Sequence, residues 1–286
     1  MIASFKTILE MAEAKKIAAA AFNVTSLESI QAAITAAEDL NQPLILSFCN
    51  SVHGIYTPMK DIGPVMVELA DRASVPICVH LDHSESIGEI REALEIGFTG
   101  VMYDGSVLPY EENLANTKFV VELADQYGAQ VEAELGAMAR DEYSSVARTD
   151  HDAEEACFTD PDQAAEFAEE TGIAGLACSF GTVHGLYLKK PNLDFERISA
   201  LYDKMDAAVI MHGGSGLSDE ETQECIRRGV RKINFYTYAA HYAGMYVKEQ
   251  LEKNPEKDYC HYISVWIRES MTKSFMDAIK VFSFLD

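Results

Sequence analysis

The stretch Pro76-Ile77-Cys78-Val79-His80-Leu81-Asp82-His83 begins with small and β-branched residues and ends with polar ones. Such a run predicts a buried strand. A polar cluster at its end is typical of a barrel or sheet strand that delivers side chains to a site at its carboxyl end. Asp82 and His83 are adjacent, so on a regular strand they would face opposite sides. We therefore expect the strand to end here, so that both side chains can converge.

Segments typical of strands and of helices alternate along the rest of the chain. Strand-like runs occupy residues 17–22, 43–48, 76–83, 100–103, 130–135, 174–180, 207–211 and 232–235. Helical patterns lie at residues 26–40, 59–73, 86–96, 110–127, 162–171, 194–205, 218–228, 239–252 and 264–284. This alternation predicts an α/β fold, namely a (β/α)8 TIM barrel in a single domain over residues 1–286. A doubly wound open sheet is the alternative.

The composition limits the classes of partner. Asp and Glu number 46 against 23 Lys and Arg, which gives a net charge of −23. Nucleic acid and anionic membranes are poor partners for such a surface, because binding a phosphate polymer requires a basic face. A small anionic substrate stays compatible, since a metal ion and backbone N–H groups can form a locally positive pocket.

The compartment predicted from the sequence is the cytoplasm. No apolar run approaches the ~20 residues that cross a bilayer, and the first residues show no basic segment followed by an apolar core. None of the six cysteines forms a CxxC pair, and two of them, Cys78 and Cys178, lie in strand-like runs. This pattern favours free thiols in a reducing compartment.

Three histidines follow predicted strands, namely His83, His184 and His212. Three imidazoles that converge from separate strands can bind zinc and leave a fourth position open for substrate or water. His80 is a candidate for supporting such ligands. The other histidines are predicted to be solvated: His53, His151, His241 and His261.

The turn His212-Gly213-Gly214-Ser215-Gly216 precedes a predicted helix with a capping box formed by Ser218 and Glu221. Glycines let backbone N–H groups approach an anion, and a helix N-terminus favours negative charge. A phosphate site after the seventh and eighth strands is common in TIM barrels. Residues 234–237, after the eighth predicted strand, would form its other wall. An ordinary glycine-rich turn is the alternative.

Five spaced motifs connect these features to a known family. In chain order they are His80-Leu81-Asp82-His83, Met102-Tyr103-Asp104-Gly105-Ser106, Val131-Glu132-Ala133-Glu134-Leu135-Gly136, Gly181-Thr182-Val183-His184-Gly185 and His212-Gly213-Gly214-Ser215-Gly216. Together they resemble the metal-dependent, class II ketose-bisphosphate aldolases, which include fructose-bisphosphate and tagatose-bisphosphate aldolases. The resemblance extends from residue 21 to residue 234.

The resemblance implies a metal centre. His83, His184 and His212 would bind a catalytic Zn²⁺ ion. Asp104 and Glu134 would support these ligands or bind an alternative metal, which leaves room for a second monovalent or divalent cation.

The resemblance also implies roles in proton transfer and substrate binding. Asp82 would act on the hydroxyl group beside the scissile bond. Glu142 lies in a long polar segment at residues 136–158, which is predicted to be a functional loop, and it would exchange the carbon-bound proton. The residues that would contact the substrate and its phosphate are Asn23, Gly185, Gly213, Gly214, Ser215, Asn234 and Thr237.

The activity implied by the resemblance is that of a lyase of carbohydrate metabolism, as in glycolysis. A ketose 1,6-bisphosphate or a related ketose 1-phosphate would be cleaved reversibly to dihydroxyacetone phosphate and an aldehyde. The assembly would be a homo-oligomer, either a dimer or a tetramer. The chain departs from the family pattern at Ala139-Arg140, Tyr236 and Tyr238, so the identity of the aldehyde half stays open.

Two other functions and one other aldolase mechanism compete with this interpretation. A zinc hydrolase on a barrel usually takes a His-x-His pair from the first strand and an aspartate from the last, whereas these strands end in Asn23 and Asn234. A non-catalytic phosphosugar-binding relative is compatible with Tyr236 and Tyr238. A Schiff-base aldolase would need a lysine inside the barrel, and the sequence predicts Lys232 at the opposite end of its strand from the site.

Overall fold

A computed structural model of the protein describes residues 1–136, 158–183 and 191–286, together with the backbone of residues 148–149 and 186–187. The strands are β1 (Ala19–Asn23), β2 (Leu44–Phe48), β3 (Ile77–Ser84), β4 (Gly100–Tyr103), β5 (Gln130–Leu135), β6 (Arg148–Thr149), β7 (Gly175–Cys178), β8 (Leu186–Tyr187), β9 (Ala208–Met211) and β10 (Val230–Phe235). Eight of them form a closed parallel barrel in the order β1-β10-β9-β7-β5-β4-β3-β2, and β6 pairs with β8 separately. The predicted TIM barrel is thereby confirmed.

The helices surround this barrel. They are α1 (Phe5–Lys15), α2 (Leu27–Asp39), α3 (Asn50–His53), α4 (Met59–Arg72), α5 (Ile87–Ile96), α6 (Tyr110–Asp125), α7 (Pro161–Thr171), α8 (Phe195–Lys204), α9 (Asp219–Arg227), α10 (Thr237–Lys253) and α11 (Cys260–Phe282). Their bounds lie close to the predicted ones, except that α11 begins earlier in the chain. Helices α1 and α3 were not predicted from the sequence.

Local capping explains where several helices begin and end. The Ser26 hydroxyl accepts the N–H of Ser29 at the start of α2, and Ser218 and Glu221 form the predicted capping box of α9. Gly97 ends α5 in the left-handed region, with φ of 108°. These signals are local in sequence, which is why the helix bounds could be predicted closely.

Two predictions made from composition can be compared with the described part of the chain. Within it, no helix has the length and apolar character needed to span a bilayer. Five cysteines are free thiols, as predicted: Cys49, Cys78, Cys178, Cys225 and Cys260.

The barrel interior changes from apolar to polar towards the carboxyl ends of the strands. Alternate residues of a strand face the same side, and on β3 the inward series is Cys78, His80 and Asp82, all buried. One buried apolar cluster combines α1 with side chains from the strands, namely Ala19, Ala21, Ile45, Cys78, Met102, Ala177 and Ile210. The polar side chains nearer the carboxyl ends of the strands therefore rest on this buried apolar cluster.

Helix α1 forms that base. Phe5 is fully buried, and its ring centroid lies 5.0 Å from that of His80. Its backbone N–H donates to the carbonyl of Thr99, while the N–H of Ala3 donates to the carbonyl of Ile77. These contacts are to residues at the amino ends of β3 and β4, so α1 lies against that end of the barrel.

We predict that Phe5→Ala lowers the free energy of unfolding by about 3–5 kcal/mol, the usual cost of removing a buried aromatic ring. Denaturant-induced unfolding measures the change. The matched control is Phe119→Ala, because Phe119 is 47% exposed, and it should shift stability by about 0.5 kcal/mol or less. Equal effects of the two substitutions would contradict the placement of α1.

Candidate functional site

The turn at His83 brings two adjacent side chains together. Strand β3 continues to Ser84, so the prediction that it ends at Asp82 and His83 is wrong. Instead, His83 adopts a left-handed backbone conformation with φ of 46°, and the pairing of β3 with β4 shifts register between Leu81 and Ser84. A non-glycine residue in this region is uncommon and is retained where surrounding structure enforces it. The local irregularity, rather than a strand end, lets Asp82 and His83 face the same centre.

His83 and His212 meet directly above the barrel core. Nε2 of His83 lies 2.8 Å from Nδ1 of His212, and the ring centroids are 4.5 Å apart. His83 contributes ligand-type atoms to two groups of residues, each with its atoms within 4.8 Å of one another: Asp82, His83 and His212, and His83, Asp104 and Glu134. The structure thus brings together five of the predicted metal-centre and catalytic residues.

Carboxylates determine which ring nitrogens face each other. Nε2 of His212 lies 2.8 Å from Oε1 of Glu132, and Nδ1 of His83 lies 3.0 Å from Oδ2 of Asp104. An ionised carboxylate can only accept a hydrogen bond, so we assign the hydrogen to each of these outer nitrogens. In the neutral rings the two inner nitrogens, 2.8 Å apart, both carry lone pairs. Two lone pairs at this distance need a proton between them, which agrees with the raised pKa of His83. A metal ion can take the place of that proton, because both rings must be neutral to act as ligands.

A buried ion pair lies behind His212. Lys232 is fully buried, and its Nζ donates to Oε2 of Glu132 at 2.7 Å. Nε2 of His80 lies 3.2 Å from the same oxygen. The prediction that Lys232 lies at the far end of its strand is wrong, because it is the third residue of β10 and points into the barrel. Its Nζ is already paired with Glu132 inside the barrel, so it is not a free amine for a Schiff base.

Asp82 is held by two amides. Nδ2 of Asn23 donates to its Oδ2 at 2.8 Å, and Nδ2 of Asn234 donates to Oδ1 and Oδ2 at 3.0 and 3.2 Å. Both asparagines were predicted to contact substrate or phosphate, and in the structure their amides contact this carboxylate. Asn23 and Asn234 follow one another around the barrel on the paired strands β1 and β10, so they orient Asp82 from one side.

Opposite charges in the cluster stabilise one another, whereas the two imidazoles oppose each other's charge. Burial alone would favour a neutral Asp82, but His83, Lys232 and His212 hold its pKa well below the usual range. Burial opposes charge on His83, yet the hydrogen bond with Asp104 and the nearby carboxylates raise its pKa to about 9. Burial and the charge of His83 lower the pKa of His212. Asp82 is consequently ionised at neutral pH, as a proton acceptor must be.

The glycine-rich turn after β9 packs against the loop after β7. Gly213 has φ of +68°, and a Cβ there would lie 2.3 Å from the carbonyl oxygen of Val183. A Cβ on Gly214 would lie 2.5 Å from the Ile233 side chain. The hydroxyl oxygen of the buried Ser215 accepts the N–H of Tyr236 at 3.4 Å. Both glycines are thus required by close packing, and Thr237 begins α10 beside this turn.

His53 differs from its prediction. It is only 3% exposed rather than solvated. Its ring packs against Tyr236 at a centroid distance of 4.6 Å and an interplanar angle of 60°, and against Phe48 at 6.3 Å. Burial lowers the pKa of His53 to about 4, partly opposed by the charge of Asp82. The ring is therefore neutral at neutral pH.

Three predicted site residues lie outside the described part of the chain, namely His184, Gly185 and Glu142, and so do His151 and most of the predicted loop at residues 136–158. Their assignments stay predictions. No role was predicted from the sequence for Glu132, Lys232 or His53. A signal for Glu132 was present, because it shares a strand face with Glu134, whereas nothing local in the sequence marks Lys232 or His53 as buried.

We predict that Glu132→Gln or Lys232→Met alone lowers the free energy of unfolding by about 3–5 kcal/mol, because each leaves an uncompensated buried charge. The free energy of unfolding of the double variant should fall by much less than the sum of the two single losses. Denaturant unfolding of the metal-free protein measures this cycle. Lys118→Met is the control, since Lys118 and Glu170 form an exposed pair of roughly 0–1 kcal/mol. Additive losses in the double variant would rule out the proposed coupling.

We also predict a pH dependence of stability from His53. Its pKa is about 4 in the folded chain against 6.5 for the free side chain. Between these values the unfolded chain binds a proton that the folded chain does not, so stability falls as the pH drops from 6.5 to 4. The loss is about 3 kcal/mol. As the pH falls through this window, the stability of His53→Phe should therefore rise relative to that of the wild type. Thermal unfolding at several pH values measures the difference. Parallel stability curves would contradict the prediction.

Comparisons with known proteins agree with this architecture. The family model described as fructose-bisphosphate aldolase class-II matches residues 3–285. The chain is 35% identical over 268 residues to the YdjI protein of Escherichia coli K12, which is described as uncharacterized. The aligned residues cover 94% of this chain and 92% of that protein.

Two solved structures show the same fold. The crystal structure of the YdjI aldolase from Escherichia coli K12 superposes with a TM-score of 0.86 at 33% identity, over 99% of this chain and 97% of that one. The fructose-bisphosphate aldolase Fba of Campylobacter jejuni superposes with a TM-score of 0.80 at 24% identity, over 99% and 96%. The match of the family model over nearly the whole chain shows that this protein belongs to the class II fructose-bisphosphate aldolase family.

Proposed function

We propose that the protein is a metal-dependent aldolase that reversibly cleaves a phosphorylated ketose to dihydroxyacetone phosphate and an aldehyde. The substrate class is a ketose 1,6-bisphosphate or a ketose 1-phosphate. Family membership supports aldolase chemistry, and Zn²⁺ is the proposed metal. The cytoplasmic location and the homo-oligomeric state stay predictions.

The observation that carries the proposal is the pair of facing imidazole nitrogens. Outer carboxylates fix the hydrogens of His83 and His212 on the far sides of the rings, so that both inner nitrogens are available as ligands. His184 would be the third ligand. A bound divalent ion supplies positive charge that stabilises the oxygen atoms on which negative charge develops.

Asp82 is the proposed acid and base for the aldehyde half. It is ionised, enclosed and oriented by Asn23 and Asn234. In the cleavage direction it accepts the proton of the hydroxyl group that becomes the aldehyde. A fixed carboxylate next to a metal ligand suits this role because proton transfer needs a short, defined approach.

The phosphate of the ketone half is proposed to bind at the turn after β9. Gly213 and Gly214 allow the backbone to approach an anion closely, and Ser215 offers a hydroxyl hydrogen while its oxygen accepts from Tyr236. The start of α10 at Thr237 adds N–H groups and a favourable helix dipole. Glu142 is proposed to exchange the carbon-bound proton from the opposite side of the substrate.

Removing the metal should abolish cleavage, and Zn²⁺ should restore it. The test is a cleavage assay with fructose 1,6-bisphosphate, tagatose 1,6-bisphosphate and fructose 1-phosphate before and after chelation. His212→Ala should lose both bound zinc and activity, whereas His261→Ala, at an exposed position, should keep both. Full activity of the metal-free protein would overturn the proposal.

A proton-exchange assay with dihydroxyacetone phosphate alone, which involves no carbon–carbon cleavage, should distinguish the roles of Asp82 and Glu142. Asp82→Asn should lose cleavage by roughly 10²–10⁴-fold, the usual contribution of an acid or base, yet keep much of the exchange. Glu142→Gln should lose exchange while still binding zinc. Normal exchange by Glu142→Gln would assign this role to another residue, with Asp141 as the next candidate.

A further inference from the structure

His53 lies at the same end of the barrel as the candidate site. It is the last residue of α3, the short helix that directly follows β2. Around the barrel the neighbouring strands follow the order β10, β1, β2 and β3. His53 therefore comes from the strand between those that carry Asn23 and Asp82.

The contacts of His53 place it next to the mouth of the site. Its ring packs on Tyr236, which directly follows β10 and whose N–H donates to Ser215. It is also close enough to Asp82 for the carboxylate to raise its pKa against the larger effect of burial. The ring thus connects the segments that follow β2 and β10.

The polar atoms of this ring have no partner among the residues that the structure describes. Among the described residues, neither Nδ1 nor Nε2 of His53 forms a hydrogen bond, although both are fully buried. Buried polar atoms are nearly always paired, and an unpaired one calls for a ligand or an ordered water molecule. A neutral imidazole offers one donor and one acceptor, which matches a hydroxyl group.

We propose that His53 is a specificity-determining residue that hydrogen-bonds a hydroxyl group of the aldehyde half of the substrate. The inference rests on the proposed aldolase function, in which Asp82 acts on the hydroxyl group of this same half. Tyr236, a departure from the family pattern, packs edge-on against the ring and so restricts its position. The group proposed is a hydroxyl, because it can pair with either the donor or the acceptor nitrogen of the unpaired ring.

The test is carbon–carbon bond formation from dihydroxyacetone phosphate and two aldehydes of equal chain length. Glyceraldehyde carries hydroxyl groups and propanal carries none. In the zinc-loaded His53→Phe variant, kcat/KM for glyceraldehyde should fall about tenfold, mainly through KM, as expected for the loss of one buried hydrogen bond. The value for propanal should stay within about twofold. His53→Gln should recover part of the loss, and His261→Phe serves as the exposed control.

Proton exchange on dihydroxyacetone phosphate separates the possible failures. Exchange does not need the aldehyde half, so His53→Phe should exchange at the wild-type rate, which also shows that the variant is folded and metal-loaded. An equal fall with both aldehydes, or no fall with glyceraldehyde, would overturn the role of His53 alone. If the wild-type protein itself fails to exchange the proton, the proposed aldolase function is wrong and the inference falls with it.

Discussion

The contact between Glu132 and Nε2 of His212 determines how the rest of the site is arranged. It fixes the hydrogen on the outer nitrogen and turns Nδ1 of His212 towards Nε2 of His83. Lys232 neutralises the carboxylate at 2.7 Å inside the barrel, which makes a buried anion tolerable beneath the centre. The barrel interior below is apolar and closed by α1, so neither partner of the ion pair can be solvated instead.

The second constraint is the backbone at His83. A regular strand would direct Asp82 and His83 to opposite faces, but the left-handed turn and the register shift between β3 and β4 bring both into one centre. Two amides and three nearby basic side chains then hold the carboxylate of Asp82 in place. The ring of His83 is held by Asp104. The metal-binding and proton-transfer functions proposed for this stretch therefore depend on a single irregular residue.

The sequence predicted the barrel and most of the central cluster because both depend on local patterns. Apolar runs mark the strands, capping residues mark the helices, and polar residues at strand ends mark the site. Lys232 could not be placed, because its partner Glu132 is 100 residues away and a lysine in a strand usually indicates exposure. His53 follows a polar segment, and one of the rings that covers it is that of Tyr236, 183 residues further along the chain. The turn at His83 was also missed, since no glycine marks it.

The most direct measurement of the central claim is the location of the metal in zinc-loaded crystals by anomalous diffraction at the zinc edge. The account predicts one strong peak bound by Nε2 of His83 and Nδ1 of His212, with Nε2 of His212 still hydrogen-bonded to Glu132. A peak bound only by the carboxylates Asp104 and Glu134, or the absence of zinc between the two imidazoles, would contradict it.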